Sequence, residues 1–172
     1  MIDVELDDEQ RKIRGRESVT YTNHSPDRLS FLWMQLDPNL FRPDSDDVLT
    51  QTAPNLDGSV SFRSLQSMLA RTVFDGGVTI SEVSDQQNKP LAHTIVKTMM
   101  RIDLPEPLGP GETISFHIAW EYAINDSKLV RGRTGFEFFE EDGNCIYEIA
   151  QWYPRMVAYT CLLYTSPSPR DS

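Results

Sequence analysis

The three histidines, His24, His93 and His117, are the first side chains in this sequence that could organise a reaction centre. A helical zinc site needs two imidazoles at i and i+4, so that both leave one face, and no two of the three are so spaced. No H-E-x-x-H occurs. Each histidine therefore reads as solvent-facing or hydrogen-bonded within the fold. The acidic runs Asp46-Asp47 and Glu140-Glu141-Asp142 lack the alternating oxygen ligands and the placed glycine of a calcium loop. They read as solvated loops. No G-x-S-x-G elbow supports a nucleophilic serine. Cys145 has no identifiable base beside it and reads as a buried, inert thiol. No complete catalytic constellation is present.

One stretch is denser in chemistry than the rest. "IYEIAQWYPRM" gathers Glu148, Gln151, Trp152, Tyr153, Pro154 and Arg155 where a strand pattern breaks off. Pro154 blocks continued strand pairing. Two readings remain open. The stretch is a corner in which Trp152 plugs the core and Arg155 pairs with a loop carboxylate, or it is a binding surface.

The elements that would position these residues are mostly strands. In "TISFHIAWEYAI", Ile114, Phe116, Ile118, Trp120 and Tyr122 share one face, and Thr113, Ser115, His117 and Glu121 the other. A period of two predicts a half-buried antiparallel strand. Met100, Ile102 and Leu104 predict a second strand, ended by the Pro/Gly run from Pro105 to Gly111. The two segments are expected to form a hairpin with a longer loop. Residues 2–6 read as a strand. Ile13, Gly15, Val19 and Tyr21 mark one face of another strand, with Arg14, Arg16, Ser18, Thr20 and Thr22 opposite. Asn23 to Asp27 form a turn. Phe31, Leu32, Trp33, Met34 and Leu36 load both faces of the next strand, which predicts a central, sandwiched position. "DSDD" and "APNLDGS" read as loops. Phe62, Leu65, Met68 and Leu69 have helical spacing and predict a short helix near 62–70. "GGVTISEV" returns to strand, and "DSKLVRGRTG" is a polar loop. Many short strands, little helix and frequent turns predict an all-β, mostly antiparallel sandwich or open sheet.

Composition narrows the partners. The formal net charge is −10, with no cluster of Lys and Arg. Nucleic acid is excluded as a partner, because phosphate recognition needs concentrated positive charge. An anionic membrane surface is disfavoured for the same reason. No run of eighteen apolar residues would span a bilayer. The compartment is left unassigned.

The last twelve residues, "CLLYTSPSPRDS", do not fit a domain end. They resemble a translated sequencing adapter of the transposase-library type, one reading frame of which spells Cys161 through Asp171. Residues 161–172 are therefore expected to be non-native, and residues 1–160 to form one domain. That expectation leaves Cys145 as the only native cysteine.

Against this background, "VELDDEQRKIRGRESVTYTNHSPDRLSFLWMQLDPNLF" resembles the opening strands of the N-terminal β domain of the aminopeptidase N family, which are zinc metallopeptidases of the gluzincin type. The positions carrying the resemblance are Leu6-Asp7, Gly15, Tyr21, Asn23, Leu36 and Asn39. "MRIDLPEPLGPGETISFHIAWEYAI" is similar to a later hairpin of that domain, through Leu104-Pro105, Leu108 and Pro110-Gly111. "DGNCIYEIAQWYPRM" is similar to the segment leading to the catalytic domain in a bacterial branch. The resemblance spans nearly all of residues 2–160 and is thinnest over 43–75.

The resemblance implies a saddle-like β domain followed by a zinc-bearing catalytic domain that carries H-E-x-x-H and lies beyond this chain. The chain alone would then be inactive and bind no cofactor. It would help form a peptide-substrate cleft through a residue near its last strand, Glu148 or Gln151. Trp152, Tyr153, Arg155 and Met156 would face the catalytic domain, with Trp152, Tyr153 and Met156 forming an exposed apolar patch. The competing expectation is a free-standing β-sandwich for binding or adhesion, without catalysis. A third is a relative that kept the fold and lost its zinc ligands.

Overall fold

The computed structural model describes residues 1–50, 60–130, 132 and 134–157. Ten strands dominate it: β1 Ile2–Asp7, β2 Lys12–Thr22, β3 Leu29–Gln35, β4 Thr79–Asp85, β5 His93–Val96, β6 Met99–Leu108, β7 Thr113–Ala123, β8 Gly135–Phe139, β9 Asn144–Glu148 and β10 Arg155–Met156. A 3-10 turn, Asp37–Phe41, and two helices, α1 Asp46–Leu49 and α2 Phe62–Val73, lie between β3 and β4. The fold is all-β with short helices, as the alternating patterns predict.

Every strand pair is antiparallel. One sheet has the order β1-β2-β7-β4, a second β10-β3-β6-β5, and β8-β9 form a separate hairpin. The apolar parity of each strand explains the stacking. From β7, Phe116, Ile118, Trp120 and Tyr122 are buried, while β6 buries Met100, Ile102, Leu104 and Leu108. These join Leu32 and Met34 of β3 and Ile13 of β2 in one core cluster drawn from both sheets. Two amphipathic sheets thus close on each other, the sandwich solution to burying one face of each.

β6 and β7 do not form the expected hairpin. β6 pairs with β3 and β5, whereas β7 pairs with β2 and β4, so the Pro/Gly turn carries the chain from one sheet to the other. Two strands facing each other across a core show the same alternation as two paired side by side, so period alone could not separate these cases. β6 also continues through Pro105 and Pro107 to Leu108.

β3 is central in its sheet, but it is not sandwiched on both faces. Its burial alternates: Leu32 and Met34 are buried, Trp33 is half-buried and Phe31 exposed. The outer face is dressed instead by Arg101, whose guanidinium lies 4.4 Å from the Phe31 ring centroid. Such a contact shields an aromatic without a second layer of protein.

Ser45 in "DSDD" is an N-cap, its hydroxyl accepting from the Val48 amide, so this expected loop opens the single turn α1. Ser61 caps α2 in the same way. "APNLDGS" (53–59) and the 161–172 tail lie outside the described residues.

Buried asparagines lock the loops to the sheets. Asn23 donates to the carbonyls of Asp27 (2.7 Å) and Leu108 (3.0 Å). Asn39 donates to Lys97 O and accepts from the Val78 amide, both at 2.7 Å. Asn125 holds Val130 O and Thr134 O, both at 2.7 Å. Each satisfies backbone groups that a loop would otherwise bury unpaired.

Candidate functional site: the corner at 148–156

The corner begins where β9 ends. Glu148, opposite Gly135 of β8, is exposed. Ile149 packs against the core, and Gln151 then bends the chain with φ 53°. A non-glycine residue in this left-handed region costs on the order of 1 kcal/mol, so the surroundings must hold it there. Two anchors do so. Upstream, the β8-β9 hairpin is fixed to the β1-β2 turn: the Tyr147 hydroxyl donates to Asp8 and accepts from Arg11, whose guanidinium also lies 5.1 Å from the Phe136 ring. Burial and the bond to Asp8 push the Tyr147 hydroxyl up to about 12. Downstream, Arg155 and Met156 pair with Gln35 and Met34, adding β10 to the edge of the second sheet.

Between the anchors the aromatic residues turn inward. Trp152 lies 5.9 Å from Trp120 and 5.0 Å from Tyr153, and Trp120 stacks on Tyr122 at 5.9 Å. Trp120 in turn covers Gly15. A Cβ at position 15 would fall 2.5 Å from the indole Cε2, so the glycine makes room for the ring. Arg155 donates from Nε (3.0 Å) and Nη2 (2.6 Å) to Asp37, whose other carboxylate oxygen accepts from Gln35 at 2.8 Å. Trp152 thus packs against the core from a half-buried position, and Arg155 pairs with Asp37, the first residue of the 3-10 turn. Trp152, Tyr153 and Met156 are all half-buried. The largest exposed apolar side chains of an ordered element are on α2, with Phe62 81 % and Val73 79 % exposed.

Gln151 borders a cavity of about 300 Å³. Gln151 and Thr134 line it with Leu40 and Phe41 from the 3-10 turn, and Asp47 and Arg71 line it as an ion pair between α1 and α2. Thr134 Oγ1 is buried with no hydrogen-bond partner among the described residues. Of the two candidates for substrate contact, the fold brings Gln151 to this cavity and leaves Glu148 outside its lining. A carboxamide both donates and accepts, so Gln151 can meet a peptide group or an ammonium without a charge of its own. Among the described residues no cluster of His, Cys, Asp and Glu could hold a metal ion. His117 Nδ1 bonds Ser18 Oγ at 2.9 Å, and His93 Nδ1 lies 3.2 Å from Leu91 O. Cys145 is a free thiol, half-buried where full burial was expected.

No protein-family model matches this chain, and no curated protein matches it.

Sequence reasoning passed over one residue the structure marks out. Glu17 shares the parity of Ile13, Gly15, Val19 and Tyr21, and it is 3 % exposed. A charge at an apolar-parity position was the available signal.

Proposed function

We propose that this chain is the N-terminal, non-catalytic β domain of a zinc-dependent aminopeptidase-like metallopeptidase, and that its 148–156 corner forms one wall of the peptide-binding cleft. The observation carrying this reading is Gln151, held in a left-handed conformation at the mouth of a cavity by anchors on both sides. Strained, over-determined backbone of this kind gathers at sites that bind ligands. The ordered resemblance along residues 2–160 supports this choice of enzyme class. Zinc belongs to the catalytic domain in this reading, and the chain described here contributes recognition only.

The test begins with the intact gene. Reading past codon 160 should reveal H-E-x-x-H. In the full-length enzyme, Gln151→Ala should raise KM for aminoacyl substrates about tenfold, the loss of one hydrogen bond to a charged group, with kcat changed less. A stop codon shortly after codon 160 would replace this reading with a free-standing β-sandwich for binding or adhesion. A long reading frame whose product binds no zinc would indicate a relative that lost its metal ligands.

A further inference from the structure

Glu17 lies on the inward face of β2, opposite Ile118 of β7 and Ile2 of β1. Its neighbours along that face are apolar, and its Oε1 is buried without a hydrogen-bond partner among the described residues. An unpaired carboxylate in such a place is costly, and an apolar residue would fit the parity of the strand better. Yet Glu17 is not sealed into the core. It lines a cavity of about 410 Å³ between the start of β1, β2 and β10, with Val19, Met34, Tyr153 and Met156 as further walls.

Among the described residues, Glu17 is the only carboxylate lining this cavity, beside the Arg155 guanidinium and the Met1 ammonium. From β10, Arg155 is already bound to Asp37. Beside β1, the Met1 ammonium donates to Ser18 O at 3.1 Å and only partly offsets the burial of Glu17. β3 contributes Met34, the strand partner of Glu17 on β7 is Ile118, and the Tyr153 hydroxyl is the remaining titratable group in the lining. We propose that this cavity is a binding site for an organic cation, a primary ammonium on an unbranched apolar stem, with the Glu17 carboxylate receiving the ammonium and Met34 and Met156 receiving the stem.

Three physical points select that ligand class. A charge-assisted hydrogen bond is roughly twice as strong as a neutral one, so an ammonium gains more than an alcohol or amide. A divalent metal would need several oxygen or nitrogen ligands, and among the described residues no group of three His, Cys, Asp or Glu side chains includes Glu17. Methionine side chains are flexible and polarisable, and they adapt to a linear alkyl chain. The stem can belong to a free amine or to a lysine side chain. This site is separate from the Gln151 cavity, and its test does not depend on the enzyme class proposed above.

The experiment titrates the full chain at pH 8 with n-butylammonium, with n-butanol as the neutral analogue and with Nα-acetyl-lysinamide, while following the Met34 and Met156 methyl signals. Saturable shifts are expected with n-butylammonium, at least tenfold tighter than with n-butanol. Glu17→Gln should abolish them while the remaining methyl spectrum is kept, and binding by the unaltered chain should weaken at least fivefold at pH 5.5. Saturable binding of Nα-acetyl-lysinamide would identify a lysine side chain as the source, and its failure beside bound n-butylammonium a free amine. Equal affinity for n-butanol, no saturation at all, or affinity unchanged in Glu17→Gln would overturn the proposal.

Discussion

At the scale of single residues, Glu17 carries a stability consequence apart from any ligand. Burial raises its pKa from 4.5 to about 7. Between those values the folded state holds a proton that the unfolded state releases. Its contribution is therefore fully present below about pH 4.5 and lost as pH rises through about 7. Above that point the chain carries the full cost of an ionised, buried carboxylate. Glu17→Gln keeps the shape and removes the titration. The variant should unfold at higher urea than the parent at pH 8, by about 3 kcal/mol, with most of the gain gone at pH 5. Equal gains at the two values would show that Glu17 is solvated in the folded state.

Elements show where sequence patterns were sufficient and where they were not. Alternation placed β2 and β7, and helical spacing placed α2, because each reflects a local relation between backbone period and one apolar face. The sheet to which β6 belongs is a non-local fact, and its alternation is compatible with pairing to β7 or facing it. The 148–156 corner was legible as a break in pattern, since Pro154 and the crowded aromatics announce it. That Gln151 rather than Glu148 reaches the cavity depends on a φ of 53°, which residue types do not encode. α2 raises a different issue. Its apolar residues Phe62, Leu65, Leu69 and Val73 fall on one face, and each is at least 48 % exposed. An amphipathic helix normally buries that stripe. Together with Leu129 the residues border an open, mostly apolar groove. Such a surface should bind a hydrophobic dye such as ANS under native conditions. The double variant Leu65→Ser, Leu69→Ser should lose most of that fluorescence while its melting temperature moves only slightly, since little buried area is removed. Undiminished fluorescence would locate the dye elsewhere.

The whole molecule is bound together by the single core between its sheets. Ile118 of β7 and Met100 of β6 are both fully buried, and they belong to the same cluster although their strands lie in different sheets. Among the described residues, the buried apolar side chains of both sheets all belong to this one cluster. On the outer face of β3, Phe31 packs edge to face on Trp33 and lies under the Arg101 guanidinium. One sheet therefore cannot persist once the other has left, because its inward residues would face water at roughly 25 cal/mol per Å². The sheets should unfold as one cooperative unit. Ile118→Ala, which opens a cavity on the first sheet's side, should cost about 3 kcal/mol. That loss should appear equally in amide exchange across β2-β7 and across β3-β6. The β8-β9 hairpin behaves differently, since it belongs to neither sheet and is tied down through Arg11, Asp8 and Tyr147. Its amides should exchange earlier and report little of the Ile118 change, as expected of a unit with fewer buried contacts. If the β3-β6 amides stayed protected while β2-β7 opened, the second sheet would have stability of its own, and the shared core would not be what holds the sandwich together.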